Sequence, residues 1–276
     1  MILHAPAKLN LCLYLGRRRE DGLHDLCSLF EPLALADLIA VAEAELDEVL
    51  CPGIEGENLA ARALAGLREL GWQRPPLRVE IEKRVPVAAG LGGGSGDAAA
   101  VLRLAAGEVD DLQGLAARLG ADVPSQLRPS LALVQGAGER VEPLPEPAPH
   151  AAVLLPDGGG LSTAAVFAEA DRMGVGRGEE ELSQLAAELR EAAGAGASPL
   201  AYPELLVNDL EAPARSLRPA IGTALEALRE AGAPIALLSG SGPTAVGLFP
   251  DFAAARAAAA KLDRADAIVC EAGKAP

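Results

Sequence analysis

Between Gly90 and Gly96 five of seven residues are glycine, and an alanine-rich stretch follows at once. Such a run is costly in chain entropy unless the backbone must reach positive φ or lie flat against something. N–H groups that curl into the start of a helix form a cradle of partial positive charge. A triphosphate is the natural occupant. A flexible linker is the plain alternative, but linkers are seldom followed directly by a strong helix, and Ser95 and Asp97 are good helix-start residues. The pattern predicts a phosphate loop opening on a helix from Ala98 to Ala106. It is not the G-x-x-x-x-G-K-[ST] loop, because no Gly-Lys-Ser/Thr occurs. A dinucleotide fingerprint forced onto Gly94, Gly96 and Ala99 fails too: Pro86 sits in the preceding segment, and no acidic residue ends a second strand at the required distance.

Two further segments share this polar character. In Pro6-Ala7-Lys8-Leu9-Asn10-Leu11 an apolar strand carries one cation and one amide. Lys8 and Asn10 are two apart, so their side chains share a face. A buried lysine is expensive without a partner; it needs an acid or an anionic ligand, unless it snorkels to a solvated face. Near the other end, Ser239-Gly240-Ser241-Gly242-Pro243-Thr244 is a second Gly-Ser turn between two apolar runs. Alone it reads equally well as a hairpin turn.

The remaining chain bounds the fold. Half of it is hydrophobic but only 3% is aromatic, so the core must be built from Ala, Leu and Val in thin layers, with many helices. Strand patterns at Ile2–Leu15, Cys27–Val41 (one or two strands), Leu77–Ile81 and a hairpin around Gly136 and Gly138 alternate with helical patterns at Asn58–Leu70 and Leu112–Leu119. Prolines 143, 145, 147 and 149 mark a boundary, giving expected domains at 1–147 and 148–276. Beyond it, strands at Ala151–Leu155, Ile235–Leu238, Ala245–Phe249 and Ala267–Glu271 interleave with helices at Ser162–Asp171, Glu179–Ala193, Leu210–Leu217, Ile221–Ala231 and Phe252–Leu262. The expected class is α+β, with two layers in each half.

A formal charge of -15 argues against a nucleic-acid partner. No apolar run reaches the ~20 residues of a membrane span, and the N-terminus lacks a signal-peptide pattern, since Arg17, Arg18 and Arg19 follow its apolar stretch. Those arginines read as a solvated turn. Cys12, Cys27, Cys51 and Cys270 show no C-x-x-C spacing and read as small, reduced core residues. A cytoplasmic address follows.

Taken in order, Pro-x-Lys-x-Asn-Leu, Pro86-x-x-x-Gly90-Leu91-Gly92-Gly93-Gly94-Ser95 and Ser-Gly-Ser-Gly-Pro-Thr resemble the three motifs of the GHMP kinases. The resemblance spans Pro6 to Thr244. It implies a two-domain fold, the first domain like ribosomal protein S5 domain 2 and the second a ferredoxin-like α/β sandwich. It also implies ATP and Mg2+. Arg19-Glu20-Asp21-Gly22-Leu23-His24, Leu119-Gly120-Ala121-Asp122-Val123-Pro124, Leu161 to Phe167 and Asn208-Asp209-Leu210-Glu211 look like the branch that phosphorylates the 2-hydroxyl of 4-diphosphocytidyl-2-C-methyl-D-erythritol in the non-mevalonate isoprenoid pathway.

On that resemblance Asp122 is the catalytic base and Lys8 its charged neighbour. Asn58, Lys83, Pro86 and the loop from Gly90 through Leu91, Gly92, Gly93, Gly94, Ser95 and Gly96 hold ATP. Asn10, His24, Thr163 and Phe167 line the substrate, with His24 and Phe167 at the cytosine. Each also has a plain reading: Asp122 as a helix cap, Lys83 as a surface charge ending a strand, His24 as an exposed turn residue. Leu23 departs from the family's tyrosine and Gly96 from a second serine. No metal ligand is named, though Ser95 is a candidate contact. The expected state is a monomer or weak homodimer. Rival readings are a GHMP kinase for homoserine or mevalonate, a decarboxylase of the same fold, and a nucleotide-binding protein without catalysis.

Overall fold

In the computed structural model, which describes residues 1–54, 56 and 58–276, the fold is organised by two long antiparallel strands. β1 spans Ile2–Arg18 and β2 spans His24–Glu43, paired along most of their length. β1 therefore runs three residues past its expected end, and the second apolar stretch is a single strand. The other edge of β2 is shared out. β5 (Ala132–Gly136) takes its first third, β10 (Ile268–Ala272) touches it at Leu33, and β4 (Leu77–Glu82) takes its end. β3 (Glu48–Leu50) lies parallel to β4, and β6 (Arg140–Pro143) completes a hairpin with β5.

Three helices cover the β4 end of this sheet: α1 (Leu59–Glu69), α2 (Gly93–Arg103) and α3 (Leu112–Leu119). Their core joins Ile39, Val79 and Ile81 to Ala98, Ala99 and Ala100, all buried. With three successive alanines ahead of Val101 and Leu102 in that core, α2 lies close to its neighbours, as the alanine content requires. α4 (Val123–Gln126) is one turn beyond α3.

Residues 144–149, in the proline-rich run, form no regular element. β7 (His150–Leu155) then pairs with β10 and with β9 (Ala245–Phe249), which pairs with β8 (Ile235–Leu238). Every residue of β7 is buried. Ala151, Val153 and Leu155 face α5 (Thr163–Met173), α7 (Glu211–Leu217), α8 (Ala220–Ala231) and α9 (Phe252–Ala259). Ala152 and Leu154 face a core shared with β1, β2 and α6 (Glu179–Ala193). The expectation of two layers thus needs correcting, because the sheet is covered on both sides here.

Among the described residues no helix is long and apolar enough to cross a membrane. All four cysteines are free. Three are buried as expected; Cys51 is only half-buried and lines a cleft.

Candidate active site

The glycine loop departs from expectation at its helix. α2 starts at Gly93, inside the glycine run, so Ser95 and Asp97 lie within its first turns rather than before it. The reason is the turn at Gly92, whose φ of 67° sets the first amides of α2 free. Ala88 and Gly90 also have left-handed φ, 54° and 75°. Left-handed residues at alternate positions turn successive N–H groups toward one side, the geometry of an anion nest. Ala88 is the strained member, since an L side chain costs about 1–2 kcal/mol there.

A cleft of about 350 Å³ opens beside this loop, lined by every residue from Pro86 to Ser95 together with Asn58 and Lys83. The structure therefore gathers the residues expected to hold a nucleotide, with one exception. Gly96 is buried away from the cleft, and a Cβ there would stand 2.9 Å from the Pro6 carbonyl oxygen. Asn58 caps α1 by accepting the Ala60 N–H at 2.8 Å.

Lys83 is no surface charge. Its ammonium bonds Asp97 at 2.8 Å and also Asp37. Asp37 is fully buried and accepts the N–H groups of Arg84 and Val85. This cluster fixes the end of β4 beneath α2. Burial pushes the Asp97 carboxyl up to about 7 against the pull of Lys83, and its Oδ1 has no hydrogen-bond partner. Sequence reasoning missed both carboxylates: Asp37 lies in an apolar strand pattern, and Asp97 reads as a helix-start residue.

Lys8 crosses to the other side of the loop. Its backbone N–H donates to Leu91, and its aliphatic stem is so close to Gly92 that a Cβ there would stand 2.9 Å from Lys8 Cγ. The ammonium donates to Asn10 Oδ1 at 2.5 Å, pairs with Asp122 Oδ2 at 3.1 Å and sits 4.4 Å from the Phe30 ring centroid. A 6% exposed cation is thereby fully partnered. Asp122 opens α4, yet its side chain makes no capping bond. One carboxylate oxygen holds Lys8 while the side chain stays 29% exposed, open to an incoming hydroxyl as a proton acceptor requires.

Asn10 is 2% exposed, and its polar atoms are committed: Oδ1 to Lys8, Nδ2 to Ser28, and its backbone N–H to Ser239. Through Ser239 the second Gly-Ser turn meets the first. Ser239 Oγ donates to the Gly90 carbonyl, and a Cβ on Gly90 would stand 2.7 Å from the Gly242 oxygen. Asn208 holds that turn, donating to the carbonyls of Leu238 and Gly240 at 2.8 and 2.7 Å. Ser241 reaches the other wall, 3.0 Å from the Thr163 hydroxyl at the start of α5.

One turn further along α5, Phe167 meets His24. Their rings lie 5.3 Å apart at 48°, and His24 Nε2 is 2.7 Å from Asp171 Oδ1. His24 is buried rather than exposed. His24, Ser28 and Phe30 alternate along β2 and so share the face that carries Lys8 and Asn10. Leu23, beside this pair, is 55% exposed.

Family models match residues 58–128 as the GHMP kinases N terminal domain and residues 182–268 as the GHMP kinases C terminal. The chain is similar to the 4-diphosphocytidyl-2-C-methyl-D-erythritol kinases of Paracoccus denitrificans (41% identical, covering 94% of this chain and 90% of that one) and Kineococcus radiotolerans (39%, covering 94% and 84%). A crystal structure of 4-(cytidine 5'-diphospho)-2C-methyl-D-erythritol kinase superposes with a TM-score of 0.81 at 37% identity, covering 99% of this chain and all of that one.

Proposed function

The chain belongs to the 4-diphosphocytidyl-2-C-methyl-D-erythritol kinases, a branch of the GHMP kinases with their α+β fold, and on that premise we propose how its own residues carry out the reaction. It is an ATP-dependent kinase that phosphorylates the 2-hydroxyl of 4-diphosphocytidyl-2-C-methyl-D-erythritol. The triphosphate lies on the amides of the glycine loop, with the adenine side toward Asn58 and Lys83. Cytosine lies against Phe167 and His24, which leaves the polyol between Thr163 and the Lys8–Asp122 pair.

Asp122 accepts the proton of the attacking hydroxyl while the oxygen bonds to the γ-phosphorus; the bond to the β-phosphate oxygen breaks and ADP departs. Lys8 balances charge on the carboxylate and on the transferring group. The observation that carries this reading is the placement of Asp122: 3.1 Å from Lys8 Nζ, uncapped and partly open to solvent, beside the loop that Lys8 touches. Magnesium is part of the proposal. Such an ion keeps several waters and is held largely by the substrate's phosphates, and among the described residues Ser95 is a hydroxyl lining the cleft beside the loop. When bound it would shield the charge of the transferred phosphate, with Ser95 as its contact. A division at residues 147 and 148, a cytoplasmic location and action as a monomer or weak homodimer complete the proposal.

The test is an ATP-coupled assay with the cytidylated substrate, followed by phosphorus NMR. A new phosphomonoester on the tertiary hydroxyl with release of ADP is expected. ADP formation with mevalonate or homoserine but not with this substrate would overturn the cytosine assignment.

A further inference from the structure

The end of β1 and the turn that brings His24 to the active site carry Arg17, Arg18 and Arg19. With Arg140 of β6 and Arg177 ahead of α6, they line a second cavity of about 680 Å³. It lies at the end of the sheet, mostly across it from the site above, and shares no lining residue with the cleft beside the glycine loop. On β2, His24, Ser28 and Phe30 point to the catalytic groups, so Asp25 and Cys27 point the other way. Cys27 pairs with Gln135, and Gln135 with Arg140, which puts both of those side chains on the same far side, toward α6.

Acidic residues outnumber Lys and Arg by 39 to 24 in this chain, so an arginine ordinarily finds a carboxylate. Arg177 does, binding Asp209 through two nitrogens and Glu181 through the third. Arg19 pairs with Asp21 at 2.8 Å and Asp25 at 3.5 Å. Among the described residues the guanidiniums of Arg17 and Arg140 have no ion pair or hydrogen bond, and that of Arg18 donates only to the Gly22 carbonyl. Three guanidiniums from two strands, Arg17 and Arg18 at the end of β1 and Arg140 at the start of β6, thus border one cavity with most of their donors unused. Asp25, Glu179 and Glu180 also border it, and Arg19 lies 3.9 Å from Glu139 as well, so the guanidiniums left without a carboxylate among the described residues are those of Arg17, Arg18 and Arg140. α6 opens on the cavity with Gly178 at its cap and no side chain bonding its first amides, which leaves those donors free as well.

We propose that this cavity is a second anion site, distinct from the triphosphate loop, which takes a compact diphosphate group. Planar guanidinium forks match phosphoryl oxygens in pairs, and three forks suit a ligand with more than one phosphoryl group. The site is independent of which alcohol the enzyme phosphorylates.

Isothermal titration of the full chain with inorganic pyrophosphate, with and without a saturating non-hydrolysable ATP analogue, tests it. One site per chain is expected to persist when the analogue is present. It should weaken about tenfold or more in the Arg17→Ala/Arg140→Ala double variant, with turnover in the absence of pyrophosphate unchanged. Arg17→Lys/Arg140→Lys, which keeps charge and loses the fork, should fall between. A parallel titration with a short alkyl diphosphate identifies the source: tighter binding assigns the site to an organic diphosphate, weaker binding to the free ion. No binding by the unaltered protein at millimolar pyrophosphate, loss of binding when the analogue is present, or equal affinity in the folded double variant would overturn the proposal.

Discussion

Gly90 joins the two glycine turns, and replacing it measures how much the site depends on that junction. Its φ is 75°, and an added Cβ would stand 2.7 Å from the Gly242 oxygen and 2.9 Å from the Ser239 oxygen. Both obstacles are backbone, held in place by Asn208, so neither can swing aside as a side chain would. Left-handed backbone costs an L residue about 1–2 kcal/mol, and forcing a methyl group into a packed contact adds about 1–3 kcal/mol. Gly90→Ala is therefore expected to lose roughly 2–5 kcal/mol of stability. Gly71 isolates the first contribution: its φ is 84° and an added Cβ would meet nothing within 4 Å. Gly71→Ala should lose only about 1–2 kcal/mol. Urea denaturation reads both losses. Kinetics read the second consequence, because displacement of the loop should raise KM for ATP about tenfold or more in Gly90→Ala and leave it unchanged in Gly71→Ala. Equal stability losses, or a normal KM for ATP in Gly90→Ala, would refute the argument that backbone contact between the turns shapes the site.

Three further outcomes follow from the same geometry. Phe167→Ala should raise KM for the cytidylated substrate by roughly 5- to 30-fold, with KM for ATP little changed, since it removes about 1–2 kcal/mol of ring contact; equal effects on both would remove the ring from the cytosine site. Asn208→Ala leaves two carbonyls of the second turn without their donor and should cost about 2–4 kcal/mol while raising KM for ATP, measured by thermal denaturation and steady-state kinetics. Asp97 has a folded value raised above that of the unfolded chain, so its contribution to stability is fully present below about pH 4 and is lost as pH rises through about 7. Stability of the unaltered protein relative to Asp97→Asn should accordingly be greater at pH 5 than at pH 8, and a difference independent of pH would contradict the burial argument.

Much of this site is legible in the sequence because it is local. Lys8 and Asn10 share a face by strand periodicity alone, and the Lys8 ammonium lies 2.5 Å from the amide oxygen. Helix α6 and strands β8 and β9 match their expected bounds. The resemblance to GHMP kinases points further, to Asp122 and to the pairing of His24 with Phe167. What periodicity cannot supply is contact between distant segments. Asp37 interrupts an apolar strand with no local sign that it anchors Lys83, 46 residues on. Glu31 and His150, both without side-chain exposure and 3.0 Å apart, tie β2 to β7 in the same silent way. Ser239 and Gly90 each sit in a recognisable turn, but only the fold brings them together. The start of α2 fails for a different reason: glycine is a poor helix former, so a helix that begins inside a glycine run is invisible to propensity. It forms there because the left-handed turn at Gly92 and the packing of Ala98, Ala99 and Ala100 decide its course.

The central claim is that Asp122 takes the proton while the glycine loop holds the triphosphate. Single-turnover kinetics of Asp122→Asn with ATP and the cytidylated substrate test it most directly, with ATP affinity measured on the same protein. The account predicts a chemical step slowed roughly 10²- to 10⁴-fold with ATP binding retained. A near-normal chemical step in a variant that binds both substrates would contradict it and assign the proton to another group.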